Sequence, residues 1–203
     1  IPFNCVNASF VKEEISNSQK QAVITLIEKQ GKDRMLKENW TPISLVNVDA
    51  KIISKMIASR IKNVLPYVIH RNQTGYVTDR YIGETVRSIF DIMDIHRKGK
   101  YTWFDDFRKA FDTSGWNFLL NSLYAFNFGH EFKISTFYTN IQSCVINNGR
   151  SSEYLNLTSG FIQGDPLSPS LFILAVETLA IAIRQNAKIK GIVIDKQETK
   201  LLQ

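Results

Sequence analysis

The segment Phe104–Asp112 holds the residues best suited to metal chemistry. Its sequence, Phe-Asp-Asp-Phe-Arg-Lys-Ala-Phe-Asp, follows a strand-like aromatic run. Carboxylates at the end of a strand suit Mg²⁺, which binds one or two of them together with phosphate oxygens of a substrate. Asp105 and Asp106 would point to opposite sides of an extended strand, so adjacency alone does not give two ligands to one ion. Taken alone, the segment is more often a solvated acidic turn that pairs with Arg108 and Lys109.

A second candidate is the run Gly160–Pro169, which leads into a long apolar helix. Gly164 allows a close approach of the backbone, and the N-terminus of a helix can hold anionic groups. Gln163 can make bidentate hydrogen bonds to a base or a sugar. In isolation, a capped turn before a core helix explains the same residues.

A third candidate is Arg80, which follows a Gly75 turn and the run Asn39–Leu45. On a loop, this arginine could contact a triphosphate. By itself it is more often a surface residue.

The elements that would carry these residues alternate between strand and helix patterns. Residues 19–30 have the β-branched core of a buried strand, residues 31–34 form a turn, and Pro42–Val46 is a second apolar run. From Asp49, a predicted N-cap, the spacing is helical until Pro66. The apolar face of this helix comprises Ile52, Ile53, Met56, Ile57, Ile61 and Leu65.

The rest of the sequence continues to alternate between helix and strand patterns. It contains no internal repeats, low-complexity tracts or linkers. Helix is predicted over 82–96, with apolar positions Ile82, Val86, Ile89, Phe90 and Met93. A helix-rich segment is predicted from Trp116 to about Cys144. A turn near Gly149–Ser152 precedes a strand-like stretch at Tyr154–Phe161. Pro169 suits the first turn of a helix over Leu171–Ile183, and Gly191–Ile194 is a strand. The pattern predicts one α+β body.

Composition narrows the classes of protein further. Of 203 residues, 44% are apolar and 22% charged, which excludes disordered and collagen-like chains. Cys5 and Cys144 are too few for a disulfide framework or a cysteine zinc site, which favours a reducing compartment. No window of 18 uncharged apolar residues predicts a membrane span, and the first residues do not resemble a signal peptide.

The net positive charge lies in the first half of the chain. Residues 1–100 contain 16 Lys and Arg against 10 Asp and Glu, whereas residues 101–203 contain nine of each. This gives the whole net charge of +6 to the first half. A basic lobe joined to a neutral one is compatible with binding a polyanion, or with an ordinary basic surface.

Together and in this order, the motifs resemble the reverse transcriptase domain of non-LTR (LINE-type) retrotransposons. The likeness runs over about residues 18–203. It rests on Gln21–Ile27, Asn39–Leu45 with Asn47-Val48-Asp49 and Lys51, Gln73-Thr74-Gly75-Tyr76 with Arg80, Asp106–Asp112 with Trp116, and Gln163–Pro169.

The resemblance implies a right-hand polymerase, with a fingers-like basic region over residues 1–99 and a partial palm over residues 100–203. It would be a fragment of one domain, incomplete at the C-terminus, because the family's aromatic-Ala-Asp-Asp hairpin would follow Gln203. It implies an RNA-directed DNA polymerase that uses Mg²⁺, an RNA template, a DNA primer and deoxynucleoside triphosphates. A nuclear or cytoplasmic location, and no membrane partner, are expected.

The resemblance also implies roles for individual residues. Asp106 would be the first catalytic aspartate and a metal ligand, with the carbonyl of Phe107 as a further ligand. Phe111 would lie under the sugar of the incoming nucleotide, although it could instead be a core anchor that packs with Phe107 or Trp116. The nucleotide-binding set would be Phe111, Gln163, Gly164 and, as looser matches near the triphosphate, Arg80 and Lys51.

Three positions depart from the family pattern. Thr41 stands where the family usually has Arg, Ile162 where a basic residue precedes Gln-Gly, and Asp105 where a strand residue is apolar. Of the three expected catalytic aspartates only Asp106 is present. The single Asp-Asp pair of the sequence is Asp105-Asp106, which belongs to the first motif.

Two alternatives to a polymerase segment remain at this stage. The chain could be a non-catalytic nucleic-acid-binding remnant that uses its basic first half. It could also be a decayed retroelement reading frame. An aromatic-Ala-Asp-Asp strand encoded after Gln203 would favour the polymerase.

Overall fold

The computed structural model describes residues 3–96, 109–129, 134–194 and 197–200. These residues form an α+β structure, as the sequence predicts. The helices are α1 (Phe3–Lys12), α2 (Asn17–Lys20), α3 (Val48–Val68), α4 (Ile82–His96), α5 (Ala110–Thr113), α6 (Trp116–Ala125) and α7 (Ser168–Gln185). The strands are β1 (Gln21–Glu28), β2 (Trp40–Val46), β3 (Gln142–Asn147), β4 (Arg150–Ser151), β5 (Leu155–Asn156), β6 (Ile192–Ile194) and β7 (Gln197–Thr199). Short 3₁₀ turns lie at Lys37–Asn39 and Ile134–Phe137.

The chain divides into two compact units, each built from two segments. The first comprises Ile1–Ala58 and Lys109–Ser168, and the second comprises Ser59–Arg108 and Pro169–Gln203. The predicted fingers and palm boundary near residue 100 concerns functional subdomains and stays a prediction.

The first unit is organised around a sheet with the strand order β2-β1-β3-β4, in which β5 also pairs with β3. The strand predicted within residues 19–30 is confirmed as β1, and the turn predicted at residues 31–34 is found around Gly31. The strand is shorter than predicted and mostly half-buried rather than buried. β1 pairs antiparallel with β2 and parallel with β3, and Val23 lies opposite both Leu45 and Cys144. The helix-rich segment predicted from Trp116 to about Cys144 is therefore found only in its first part: α6 ends at Ala125, and Cys144 lies within β3.

Two details of α3 differ from the sequence prediction. Asp49 lies inside the first turn rather than at the N-cap, and its Oδ2 accepts a hydrogen bond of 2.8 Å from Gln19 Nε2. The helix also continues through Pro66 to Val68. A proline so near the C-terminus removes one backbone donor from the last turn without interrupting a longer helix.

The helical faces are narrower than their patterns predict. Of the six apolar positions predicted along α3, Ile53, Ile57, Ile61 and Leu65 are buried, while Ile52 and Met56 are exposed. Helix α4 has its predicted bounds, but four of the five apolar positions predicted for it are exposed: Ile82, Val86, Phe90 and Met93. The spacing thus predicts the helices correctly and overstates how much of each face is buried.

Helix α7 carries the apolar run predicted after Pro169. Its length and mean hydropathy of 1.2 would also be compatible with a membrane span. In the structure, however, Leu171 and Leu174 are completely buried, and the buried Glu177 carboxylate pairs with Arg184. These are the contacts of a core helix.

Candidate functional site

The predicted site residues fall into different parts of the structure. The first compact unit holds four of them: Lys51, Phe111, Gln163 and Gly164. Arg80 belongs to the second unit. Asp106 and Phe107, together with the neighbouring Asp105 and the strand predicted at Tyr101–Phe104, lie outside the described residues.

Residues 159–167, here called the Gln-Gly loop, are fastened to helix α5. The Phe161 amide donates a hydrogen bond of 2.6 Å to the Phe111 carbonyl. The Gly160 amide donates one of 2.8 Å to the carbonyl of Ser114, the residue that follows α5. Gly160 has φ of +88°, and a Cβ there would lie 2.9 Å from the carbonyl oxygen of Asp112. Only glycine allows the loop to approach α5 this closely.

The same loop is also fastened to strand β2. The Ser44 amide donates a hydrogen bond of 3.2 Å to the carbonyl of Gln163. Gly164 has φ of +97°, and a Cβ there would lie 2.8 Å from the Ser44 carbonyl oxygen. The close backbone approach predicted for Gly164 is thus found, and it is made to Ser44.

The side chain of Gln163 joins the loop to α5 a second time. Its Nε2 donates a hydrogen bond of 2.7 Å to Asp112 Oδ1, across 51 positions of sequence. Both side chains are half-buried, and Gly164 is exposed, so a ligand can reach this part of the loop. Sequence reasoning did not single out Asp112, although it is the last residue of the acidic segment that drew attention to Phe111.

Phe111 is half-buried and belongs to an aromatic cluster. Its ring meets Phe161 edge-on at 5.9 Å, and Phe161 meets Tyr138 at 6.5 Å. Trp116 packs on Tyr138 at 5.6 Å, and its Nε1 donates a hydrogen bond of 2.8 Å to the Gly160 carbonyl. Phe111 thus packs on this aromatic cluster and keeps part of its surface accessible.

Asp165 fixes the end of the loop just before α7. Its Oδ2 accepts a hydrogen bond of 3.1 Å from the Leu167 amide. Burial raises the pKa of Asp165 above its ordinary value, and hydrogen bonds from Ser54, Leu167 and Ser168 together with the charge of Lys51 partly offset this rise. Lys51, predicted near the triphosphate, therefore interacts electrostatically with the loop that also carries Gln163.

Arg80 makes a different set of contacts in the second unit. Its Nη1 donates to the carbonyls of His70 and Gln73, at 2.6 and 2.7 Å. Its Nη2 donates to the carbonyls of Pro66 and Ile69, at 3.2 and 2.9 Å. Both terminal nitrogens thus bind the backbone where α3 ends, which has carbonyl groups without helical partners.

The described part of the chain contains no group of three or more His, Cys, Asp and Glu side chains that could hold a metal. The predicted donors, the carboxylate of Asp106 and the carbonyl of Phe107, are hard oxygen ligands of the kind Mg²⁺ prefers.

Comparison with known proteins identifies the family. The family model described as "Reverse transcriptase (RNA-dependent DNA polymerase)" matches residues 27–197. The transposon TX1 uncharacterized 149 kDa protein of Xenopus laevis is 34% identical over 199 residues, 96% of this chain and 15% of that protein. The retrovirus-related Pol polyprotein from type-1 retrotransposable element R2 of Popillia japonica is 25% identical over 201 residues, 94% of this chain and 27% of that protein.

The chain therefore spans less than a third of either relative, and the matched model covers most of the chain. These matches confirm the family that the order of the sequence motifs predicts. The chain belongs to the reverse transcriptase family, as a segment of the non-LTR (LINE-type) retrotransposon kind.

Proposed function

We propose that this chain forms the deoxynucleotide-facing part of an RNA-directed DNA polymerase and contributes to binding its RNA template and DNA primer. The observation that carries the proposal is the junction between the Gln-Gly loop and α5. Two bonds, Phe161 to Phe111 through the backbone and Gln163 to Asp112 through side chains, bring together motifs that are distant in sequence.

Within this junction each residue has a distinct role. The accessible side of Phe111 lies under the sugar, where a rigid aromatic plane leaves no room for a 2′-hydroxyl. Gln163 and Gly164 contact the same nucleotide from the loop. Because Ser44 and α5 hold the loop on two sides, these contacts are preorganised, which lowers the entropy that binding must overcome.

One lysine and one arginine supply positive charge in this proposal. Lys51 supplies positive charge beside the loop, toward the triphosphate. Arg80 also supplies positive charge, and its hydrogen bonds to the backbone hold the segment that carries it.

Reverse transcriptases generally use a divalent metal. We assign Mg²⁺ to this one, held by the Asp106 carboxylate and the Phe107 carbonyl. Bound there, the ion would stabilise negative charge on the reacting phosphate. The chain's own contribution is to hold the sugar and base of the nucleotide against Phe111 and Gln163.

The basic first half is assigned to the nucleic acid. Its excess positive charge favours sequence-independent binding that weakens as salt suppresses counterion release. We expect purified residues 1–203 to bind a fluorescently labelled RNA–DNA hybrid, with affinity falling at least about tenfold between roughly 50 and 200 mM salt. Circular dichroism on the same sample establishes that it is folded.

The same sample tests catalysis. Residues 1–203 contain a single Asp-Asp pair, whereas two-metal transfer needs carboxylates that converge from separate strands. We therefore expect no template-directed primer extension by this segment alone. Absence of hybrid binding at low salt by the folded protein would contradict the proposal, and extension that is abolished by Asp106→Ala would contradict the catalytic expectation.

A further inference from the structure

We propose that Asp112 is a positioning residue that sets the orientation of the Gln163 side-chain amide, leaving its oxygen to accept a hydrogen bond from a hydroxyl of the bound nucleotide. The starting observation is the bond of 2.7 Å from Gln163 Nε2 to Asp112 Oδ1. This role rests on the proposed function, because it names the chemical group of the nucleotide that Gln163 recognises.

The chemistry of the two side chains fixes the direction of this bond. An ionised carboxylate only accepts hydrogen bonds, whereas a glutamine amide can present either its NH₂ or its oxygen. Asp112 therefore admits only the NH₂ end, and a flipped amide would bring two acceptors together. A bond from an amide to a charged acceptor is also stronger than one between neutral groups.

The loop backbone leaves the amide few other arrangements. The Gln163 carbonyl accepts a hydrogen bond from the Ser44 amide, and the adjoining Gly164 lies against the Ser44 carbonyl. The main chain that follows the Gln163 side chain is thus held by β2, and the main chain that precedes it is held by α5 through the bond from the Phe161 amide to the Phe111 carbonyl. What decides whether nitrogen or oxygen faces Asp112 is the charge of Asp112 itself.

The consequence concerns the oxygen end of the amide. One of the two Nε2 hydrogens is bound to Asp112, and Oε1 is thereby turned away from that carboxylate. Because Oε1 only accepts, it favours an O–H over a phosphate oxygen, which also accepts. Phe111, which immediately precedes Asp112 in α5, is the residue assigned to the sugar. A sugar hydroxyl is therefore the donor within reach of this arrangement, and a 3′-deoxy analogue lacks it.

The first arm of the test examines the bond itself by NMR of residues 1–203 with ¹⁵N-labelled glutamine. In the unaltered chain, one Nε2 proton of Gln163 should resonate downfield and exchange slowly with solvent. Asp112→Ala should abolish both features. If the Gln163 signals are the same in both proteins, the proposed orientation is wrong.

The second arm compares the dissociation constants of dTTP and ddTTP. The unaltered chain should bind dTTP about fivefold more tightly, the usual effect of one hydrogen bond. Asp112→Asn keeps a hydrogen-bonding partner for Gln163, but an asparagine amide can pair with either the NH₂ or the oxygen of Gln163. The ratio of the ddTTP and dTTP dissociation constants should therefore fall toward one. Glu153→Gln is the matched control, because it removes one negative charge from an exposed residue of the same unit and should leave the preference intact.

The outcomes separate the two proposals. An unchanged preference in Asp112→Asn, with the NMR signature present, would reduce Asp112 to a structural tie and overturn the positioning role. If neither nucleotide binds the unaltered chain although the signature is present, the proposed function fails, and the positioning role fails with it. Loss of the preference in Asp112→Asn alone supports both.

Discussion

The two loops that carry predicted nucleotide contacts use their polar side chains in opposite ways. In the first unit, Gln163 commits one end of its amide to Asp112 and stays half-buried on an accessible loop. In the second unit, Arg80 donates from both terminal nitrogens to four backbone carbonyls at the end of α3. Both side chains are half-buried. Gln163 uses only its nitrogen in the bond to Asp112, whereas both terminal nitrogens of Arg80 bind the backbone around it.

The difference follows from the number of groups each side chain offers. An amide has donors on one end and an acceptor on the other, so binding one end defines what the other can recognise. A guanidinium has only donors, and α3 ends beside it with carbonyl groups that need them. The position of a polar residue in a motif therefore does not tell whether its hydrogen-bonding groups serve a ligand or the fold.

The largest effect that tests this comparison is expected at Gly164. Gly164→Ala would place a Cβ 2.8 Å from the Ser44 carbonyl in a backbone with φ of +97°. We expect the free energy of unfolding to fall by about 3 kcal/mol, from strain and from displacement of the loop.

Gly31→Ala is the matched control in the same unit, because φ is +71° and a Cβ would meet nothing within 4 Å. It should cost about 1 kcal/mol. Urea denaturation of both variants measures the difference. Equal losses would show that the Gln-Gly loop is not held against β2 as described.

Arg80→Ala should produce the next largest effect, on stability. Removing the guanidinium takes its hydrogen bonds away from four carbonyls, of which the His70 carbonyl still accepts one from the Gln73 amide. We expect a loss of about 2 kcal/mol. The control is Arg87→Ala, since Arg87 is 86% exposed and its carboxylate partner, Asp91, is 4.0 Å away, which predicts at most about 0.5 kcal/mol. If Arg80→Ala leaves the urea midpoint unchanged but weakens nucleotide binding, the contrast between the two loops is broken.

The smallest effect concerns pH and Asp165. Because burial raises the pKa of Asp165 above its ordinary 3.8, the folded chain holds this proton more tightly than the unfolded chain. The resulting stability is present below pH 3.8 and is lost as the pH rises through the raised pKa. Asp165→Asn cannot ionise and should not show this loss.

Urea denaturation at several pH values above about 3 measures this effect. The variant should gain stability relative to the unaltered chain as the pH rises over that window. A difference between the two proteins that does not change with pH would mean that the pKa of Asp165 is not raised by the fold.

Local patterns account for much of the fold. The β-branched run of β1, the turn at Gly31 and the helical spacing of α4 and α7 were all predictable, because each depends on residues close together in sequence. Strand β3 was not, since its parallel pairing with β1 joins Gln21 to Gln142 across 121 positions.

In the candidate site, too, local features could be predicted from the sequence, whereas contacts between distant segments could not. Gly164 could be predicted to allow a close backbone approach, but the identity of the partner, Ser44, depends on how the sheet is assembled. The Gln163–Asp112 bond likewise joins two motifs that sequence reasoning treated separately. The exposure of the apolar positions along α4, such as Phe90, could not be predicted either. The spacing of apolar residues defines a helix face but does not show whether another element packs against that face.

The central claim is that Phe111 faces the nucleotide sugar while the ring beneath it, Phe161, belongs to the core. The direct test places residues 18–203 in an active relative that supplies the aspartate hairpin and the thumb. Phe111→Val should raise ribonucleotide incorporation relative to deoxynucleotide by at least about tenfold, as expected when a steric clash of more than about 1.4 kcal/mol is relieved. Phe161→Leu, at a buried neighbour, should lower stability without changing that ratio. If Phe111→Val instead unfolds the protein, or lowers incorporation of both substrates equally, Phe111 is a core residue and the account of this site is wrong.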